Sequence, residues 1–193
     1  MARFVFIFVT ALVMAATAAA QGGTWQIDPN HTAAQFSVRH LGVSTVRGAF
    51  TKVTGSAQHD PADPSKDTLE ATIDANSVDT RVEMRDNDLR SARFFDVQKY
   101  PTITFHSKQT KVSGPGKLLI TGALTIHGVT KEVVLDVDGP SAPIKDPMGK
   151  GQRMGASATT KVNRQDFGVS ALPGAVGDEI TITIDVELIQ PSK

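Results

Sequence analysis

Five histidines, His31, His40, His59, His106 and His127, are the side chains of this sequence best suited to hold a metal ion or carry a proton. None of them forms a pair with the close spacing of a helical or hairpin zinc motif. His31 and His40 differ by an odd number, so on one regular strand they point to opposite faces. His40 shares its parity with Phe36 and Val38, whereas His106 falls with Thr102 and Thr104 on a polar side. A histidine on an apolar face is more often a hydrogen-bonded interior residue than a metal ligand. Nucleophile motifs are missing as well: the chain has no cysteine, no G-x-S-x-G and no H-E-x-x-H. Gly114-Pro115-Gly116 lacks the following helix and the lysine of a phosphate loop and reads as a hairpin turn. The carboxylate pairs Asp86 with Asp88 and Asp136 with Asp138 lie on solvated faces. These residues call for no catalysis, metal or cofactor; a histidine-metal enzyme is the alternative that metal analysis discriminates.

Arginines and aromatics carry the stronger signal. Arg81, Arg85 and Asp88 share one helical face by spacing, Arg90 and Arg93 another, and Arg164 sits in NRQDFG beside an aromatic at a strand end. Surface ion pairs are the plain reading. The sharper one takes Arg85, Arg93 and Arg164 as candidates for an anionic head group, because a guanidinium fork matches phosphate oxygens. Phe94 and Phe95, in LRSARFFDVQKYP, could stack on bases, fill a core or line a greasy site. Charge removes the first option: 20 basic residues balance 20 acidic ones, without the positive surplus of a nucleic-acid binder.

The elements that must position these residues are mostly strands. From Trp25 onward apolar residues recur with period two, most clearly at Ile180, Ile182, Ile184, Val186 and Leu188 against Glu179, Thr181, Thr183, Asp185 and Glu187. One helix is expected from Thr80 to about Arg93, opened by a capping box in Thr80-Arg81-Val82-Glu83. Phe94 and Phe95 then stand where helix hands over to a strand starting near Thr102, one expected to plug a barrel end and the other to pin the helix. Antiparallel strands joined by short turns suggest a sandwich or a closed barrel. Many inward positions are small, such as Ala71, Ala75, Ala156 and Ala158. That means either close sheet packing or a cavity, and a barrel of about eight strands is just wide enough for one small ligand.

Residues 1–20 read as a secretory signal peptide: Arg3, then an apolar run from Phe4 to Ala16, then Ala18-Ala19-Ala20 before a cut after Ala20. The run is too short to span a bilayer, so no stable membrane insertion is expected. One domain follows over residues 21–193, periplasmic or secreted, and without disulfides.

Five segments in order support a family resemblance: WQIDPNHTAAQFSVRHLGVSTVRGAF, LRSARFFDVQKYPTITF, GALTIHGVTKEVVLDV, VNRQDFGVS and VGDEITITIDVELI. Through them the chain resembles the YceI-like, polyisoprenoid-binding proteins of the periplasm. The resemblance implies an all-β fold, a lipocalin-like extended antiparallel barrel of about eight strands with a short helical cap, enclosing an apolar pore. It also implies transport or sequestration of a polyprenyl phosphate or isoprenoid quinone, without turnover and without a cofactor. His31, Arg39, His40, Arg85, Arg93, Phe94, Phe95, His127, Asn163, Arg164, Asp166 and Phe167 match recurrent positions of the family. Parity and these matches together nominate the pore lining: Phe36, Val38, His40, Ile73, Phe94, Phe95, Phe105, Leu124, Leu135, Ala156, Ala158, Ile182 and Ile184. A homodimer that protects barrel edges is a possible partner state. A stress-responsive structural or interaction protein with a vestigial pore is the remaining alternative.

Overall fold

Nearly every run of alternating residues becomes a strand in the computed structural model, which describes residues 22–149 and 151–191. The signal-peptide reading falls on residues outside that range. In chain order the elements are β1 (Gly23–Ile27), β2 (Ala33–His40), β3 (Ser44–Phe50), β4 (Val53–His59), β5 (Thr68–Asp74), β6 (Val78–Asp79), α1 (Glu83–Arg90), β7 (Thr102–Gly114), β8 (Lys117–Ile126), β9 (Val129–Asp138), β10 (Ile144–Lys145), β11 (Gln152–Asn163) and β12 (Val176–Gln190).

The pairings close on themselves. Going round, β12, β1, β4, β5, β7, β8, β9 and β11 each bond to the next, and β11 returns to β12, all antiparallel. This is a closed barrel of eight strands, which leaves no free edge within the ring. The 15-residue β12 makes closure possible. One edge pairs with β11 from Asn163 opposite Glu179 to Gln152 opposite Gln190. Its other edge holds β2 up to Asp185 and then β1 at Leu188 and Ile189. The hairpin of β2 and β3 thus extends the wall, and β6 ends it.

Apolar side chains of the ring turn inward, and charged or hydroxyl side chains of the same strands, such as Lys161, Thr181, Thr183 and Asp185, turn outward. Two glycines let aromatic rings fold back over the inner wall. A Cβ on Gly122 would lie 2.3 Å from the Phe105 ring, and one on Gly48 would lie 2.6 Å from the Phe36 ring.

The helix is shorter than its sequence pattern predicts, and its start is built differently. Arg81 has a left-handed backbone (φ 65°) and Val82 is extended, so α1 begins only at Glu83 and has no side-chain cap from Thr80. The polarity of the contact is reversed. The backbone N–H and hydroxyl of buried Thr80 both donate to Asp86 Oδ1, at 2.8 and 2.5 Å, from within the helix. Arg85 Nε in turn donates to the Thr80 hydroxyl at 2.7 Å. After Arg90 a run of tight turns to Tyr100 seats Phe94 and Phe95 against the barrel.

Candidate functional site: an apolar cavity within the barrel

Burial along β12 decides between close packing and a hollow interior. In a filled barrel the inward residues of the longest strand are its least exposed ones. Here Ile180, Ile182, Ile184 and Val186 all face inward and yet stay only half-buried, as do Phe36, Ala71, Ile73 and Ala156. Their remaining exposure is to a cavity of about 250 Å³ that they line. Its wall is almost wholly hydrocarbon and draws on every strand of the ring.

All the pore-lining residues nominated from sequence stand on this wall except His40. It is the last residue of β2, opposite Val176, and the lining that β2 contributes ends at Val38. Phe94 is 6 % exposed and Phe95 half-buried, and both face the cavity. Phe95 stacks edge-on against Phe50 with ring centroids 5.4 Å apart, and Phe50 meets Phe36 at 5.9 Å. The expected split, one plugging and one pinning, is replaced by two rings lining one end together. Leu118, Ile120, Phe50 and Phe167 also line the wall. The first two share the parity of Leu124, a signal already present in the β8 pattern.

The head-group candidates have other partners. Arg85 is spent on Thr80, to whose carbonyl Nη2 also donates at 2.9 Å, and Arg93 pairs with Asp88 at the surface. Arg164 does reach the cavity wall, but it is only 5 % exposed and fully engaged. Its guanidinium donates to the carbonyls of Val169, Ala171, Val176 and Gly177 at 2.7 to 3.0 Å and meets Asp178 at 3.1 Å. It is a clamp for the loop after β11, not a free cation. Among the described residues, no buried side-chain nitrogen or oxygen lacks a hydrogen-bond partner.

Two polar constellations join residues that the sequence pattern did not pair. His59 Nδ1 lies 2.8 Å from Asp67 Oδ2 at one end of the wall, and the Asp67 Oδ1 accepts from the Asp60 N–H. On the barrel wall Asp28, His31 and Glu187 bring ligand-type atoms within 4.8 Å of one another. The cation there is Arg153, whose guanidinium contacts Asp28, Glu187 and the buried Asp146. Arg153, then His31, hold the Asp28 carboxyl down at about 2. The same carboxylates raise the Arg153 pKa above its ordinary value. A metal ion would have to displace this guanidinium.

What the barrel offers chemically is an enclosed hydrocarbon surface. Among its relatives, Protein YceI of Salmonella arizonae is 37 % identical over 185 residues, covering 95 % of both chains. The crystal structure of the YceI protein of Campylobacter jejuni, 35 % identical, superposes with a TM-score of 0.69 over 80 % of this chain and 90 % of that one. A domain of Saccharophagus degradans described as polyisoprenoid binding shares the fold at 17 % identity, with a TM-score of 0.62 over 86 % of this chain and 98 % of that one. The model of the YceI-like domain matches residues 25–188, and this chain belongs to that family.

Proposed function

We propose that the protein is an exported carrier that encloses the tail of a polyisoprenoid lipid in its barrel and does no chemistry on it. The observation that carries this reading is the half-exposed inner face of β12, four branched aliphatic side chains turned toward open space inside a closed wall. Branched, methyl-studded walls suit a branched, methyl-studded chain, and the polyisoprenoid-binding neighbour supports the same ligand class. Burial supplies about 0.8 kcal/mol per carbon, so each five-carbon unit contributes about 4 kcal/mol. Association costs of about 4 to 15 kcal/mol are therefore offset once about one to four units are inside. The leader read over residues 1–20 supports a periplasmic or secreted location.

The test is organic extraction of the purified protein followed by mass spectrometry, with uptake assays for a polyprenyl phosphate and an isoprenoid quinone. We expect stoichiometric binding of at least one, released unaltered. Protein that is reproducibly empty and takes up neither lipid would sink the proposal. Conversion of the bound lipid would favour the enzyme alternative.

A further inference from the structure

Two loops meet at the end of the barrel where Val38, Val169 and Val176 bound the cavity. The turn between β2 and β3 presents Leu41 and Val43, 59 % and 80 % exposed, and the loop after β11 presents Leu172, 41 % exposed. The Leu41 N–H donates to the Ala175 carbonyl at 2.7 Å, so the two loops form one tip. Neither leucine is there for backbone reasons. Leu41 (φ 52°) and Leu172 (φ 53°) both sit in the left-handed region, where Gly, Asn or Asp would be easier and more soluble. Nor is the tip loose. Arg164 fastens one loop through four carbonyls, and Arg39 fastens the other, donating to Thr45 Oγ1 and the Gly42 carbonyl.

The two segments that build this tip carry charge of one sign only. No carboxylate occurs between Asp28 and Asp60, so the β2–β3 hairpin carries only Arg39, Arg47 and His40, and residues 168–177 carry no charge at all. Arg39 and Arg47 make no ion pair among the described residues; Asp178 is engaged by Arg164 and Gln165 and Glu179 by Lys161, and Asp79, opposite Ala49 at the far end of β3, accepts from the Arg81 N–H. Exposed apolar side chains backed by two cations without an ion pair are complementary to a lipid surface bearing negative head groups. No helix among the described residues is long and apolar enough to cross a membrane.

We infer that the tip formed by Leu41, Val43 and Leu172, with Arg39 and Arg47 behind it, docks the barrel on an anionic bilayer surface. The inference rests on the lipid-carrier reading for its purpose, since docking would bring the cavity close to the bilayer that holds its ligand. The experiment is flotation of the full protein with vesicles of phosphatidylcholine and with vesicles that also contain phosphatidylglycerol, at low and high salt.

Wild-type protein should float with the anionic vesicles at low salt and far less with the zwitterionic ones. The variant Leu41→Ser with Val43→Ser and Leu172→Ser should bind at least about tenfold more weakly. Arg39→Gln with Arg47→Gln should weaken anionic binding by about fivefold per cation. Wild-type protein that stays with neither vesicle, or a serine variant that floats as well as wild type, overturns the inference. So does a serine variant that merely turns a dimer into a monomer, which would make the tip a contact between copies. Uptake of a polyprenyl phosphate from detergent, measured on the same variants, separates the two readings. It should be unchanged by the serines, while wild-type protein that floats but takes up no lipid would refute the carrier function and leave the docking surface standing.

Discussion

Ala156→Leu and Ala158→Leu should move ligand affinity and stability in opposite directions. Both alanines face the cavity from β11, opposite Val186 and Ile184 of β12, and Ala158 also faces Val137 of β9. Each leucine adds three carbons to the interior. If each displaces as much lipid, about 2.4 kcal/mol of burial is lost per site, a weakening of about 50-fold. The double variant should lose up to about 5 kcal/mol, an upper bound because neighbouring sites share one ligand. The empty protein gains what the lipid loses, for the new methyls bury surface in vacant space. A gain of about 1 to 2 kcal/mol should raise Tm by about 2–4 °C per kcal/mol. The assay is a titration of polyprenyl phosphate followed by native mass spectrometry, beside thermal unfolding of delipidated protein. Unchanged affinity would show that the lipid does not pass these strands. A Tm lowered by several degrees would show overpacking, and the interior would then not be hollow.

Other substitutions probe the frame around the cavity. Arg164→Met strands four carbonyls that now share one guanidinium and should cost about 3 to 5 kcal/mol in urea unfolding. Hydrogen exchange in residues 168–177 should rise selectively. Gly122→Ala puts a methyl against the Phe105 ring and the His106 carbonyl and should destabilise by about 1 to 3 kcal/mol. Stability should also fall in acid. Asp28 titrates at about 2 when folded and near its ordinary value when unfolded, so its contribution is complete above about pH 4 and fades as pH drops toward 2. It amounts to at most about 2 kcal/mol after solvent screening, and Asp28→Asn should flatten that part of the acid unfolding curve.

Alternation made most of the barrel legible, because a strand wetted on one side leaves its period in the residues: Ile180 to Leu188 could be assigned to one face before any neighbour was known. The same parity placed Ala156, Phe105 and Leu124 on the cavity wall. Where a lining ends along a strand leaves no such mark, so His40 was nominated although the β2 lining stops at Val38. Tertiary polar contacts were equally hidden. Arg153 meets Asp28 across 125 residues of chain, and Arg164 chose backbone carbonyls, which any sequence supplies. At Thr80 the local pattern was sound, but the left-handed Arg81 moved the helix start by three residues and turned Asp86 into the acceptor.

The strand that seals the ring also sets when the ring can exist. β12 bonds to β1 and β2, which precede it by about 150 residues, as in the contact of Gln35 with Asp185. Until it arrives the wall has two open edges and no enclosed interior, and such long loops close slowly. A chain built this way stays open to threading through a narrow channel, and it gains its cavity only once its most distant strands have met.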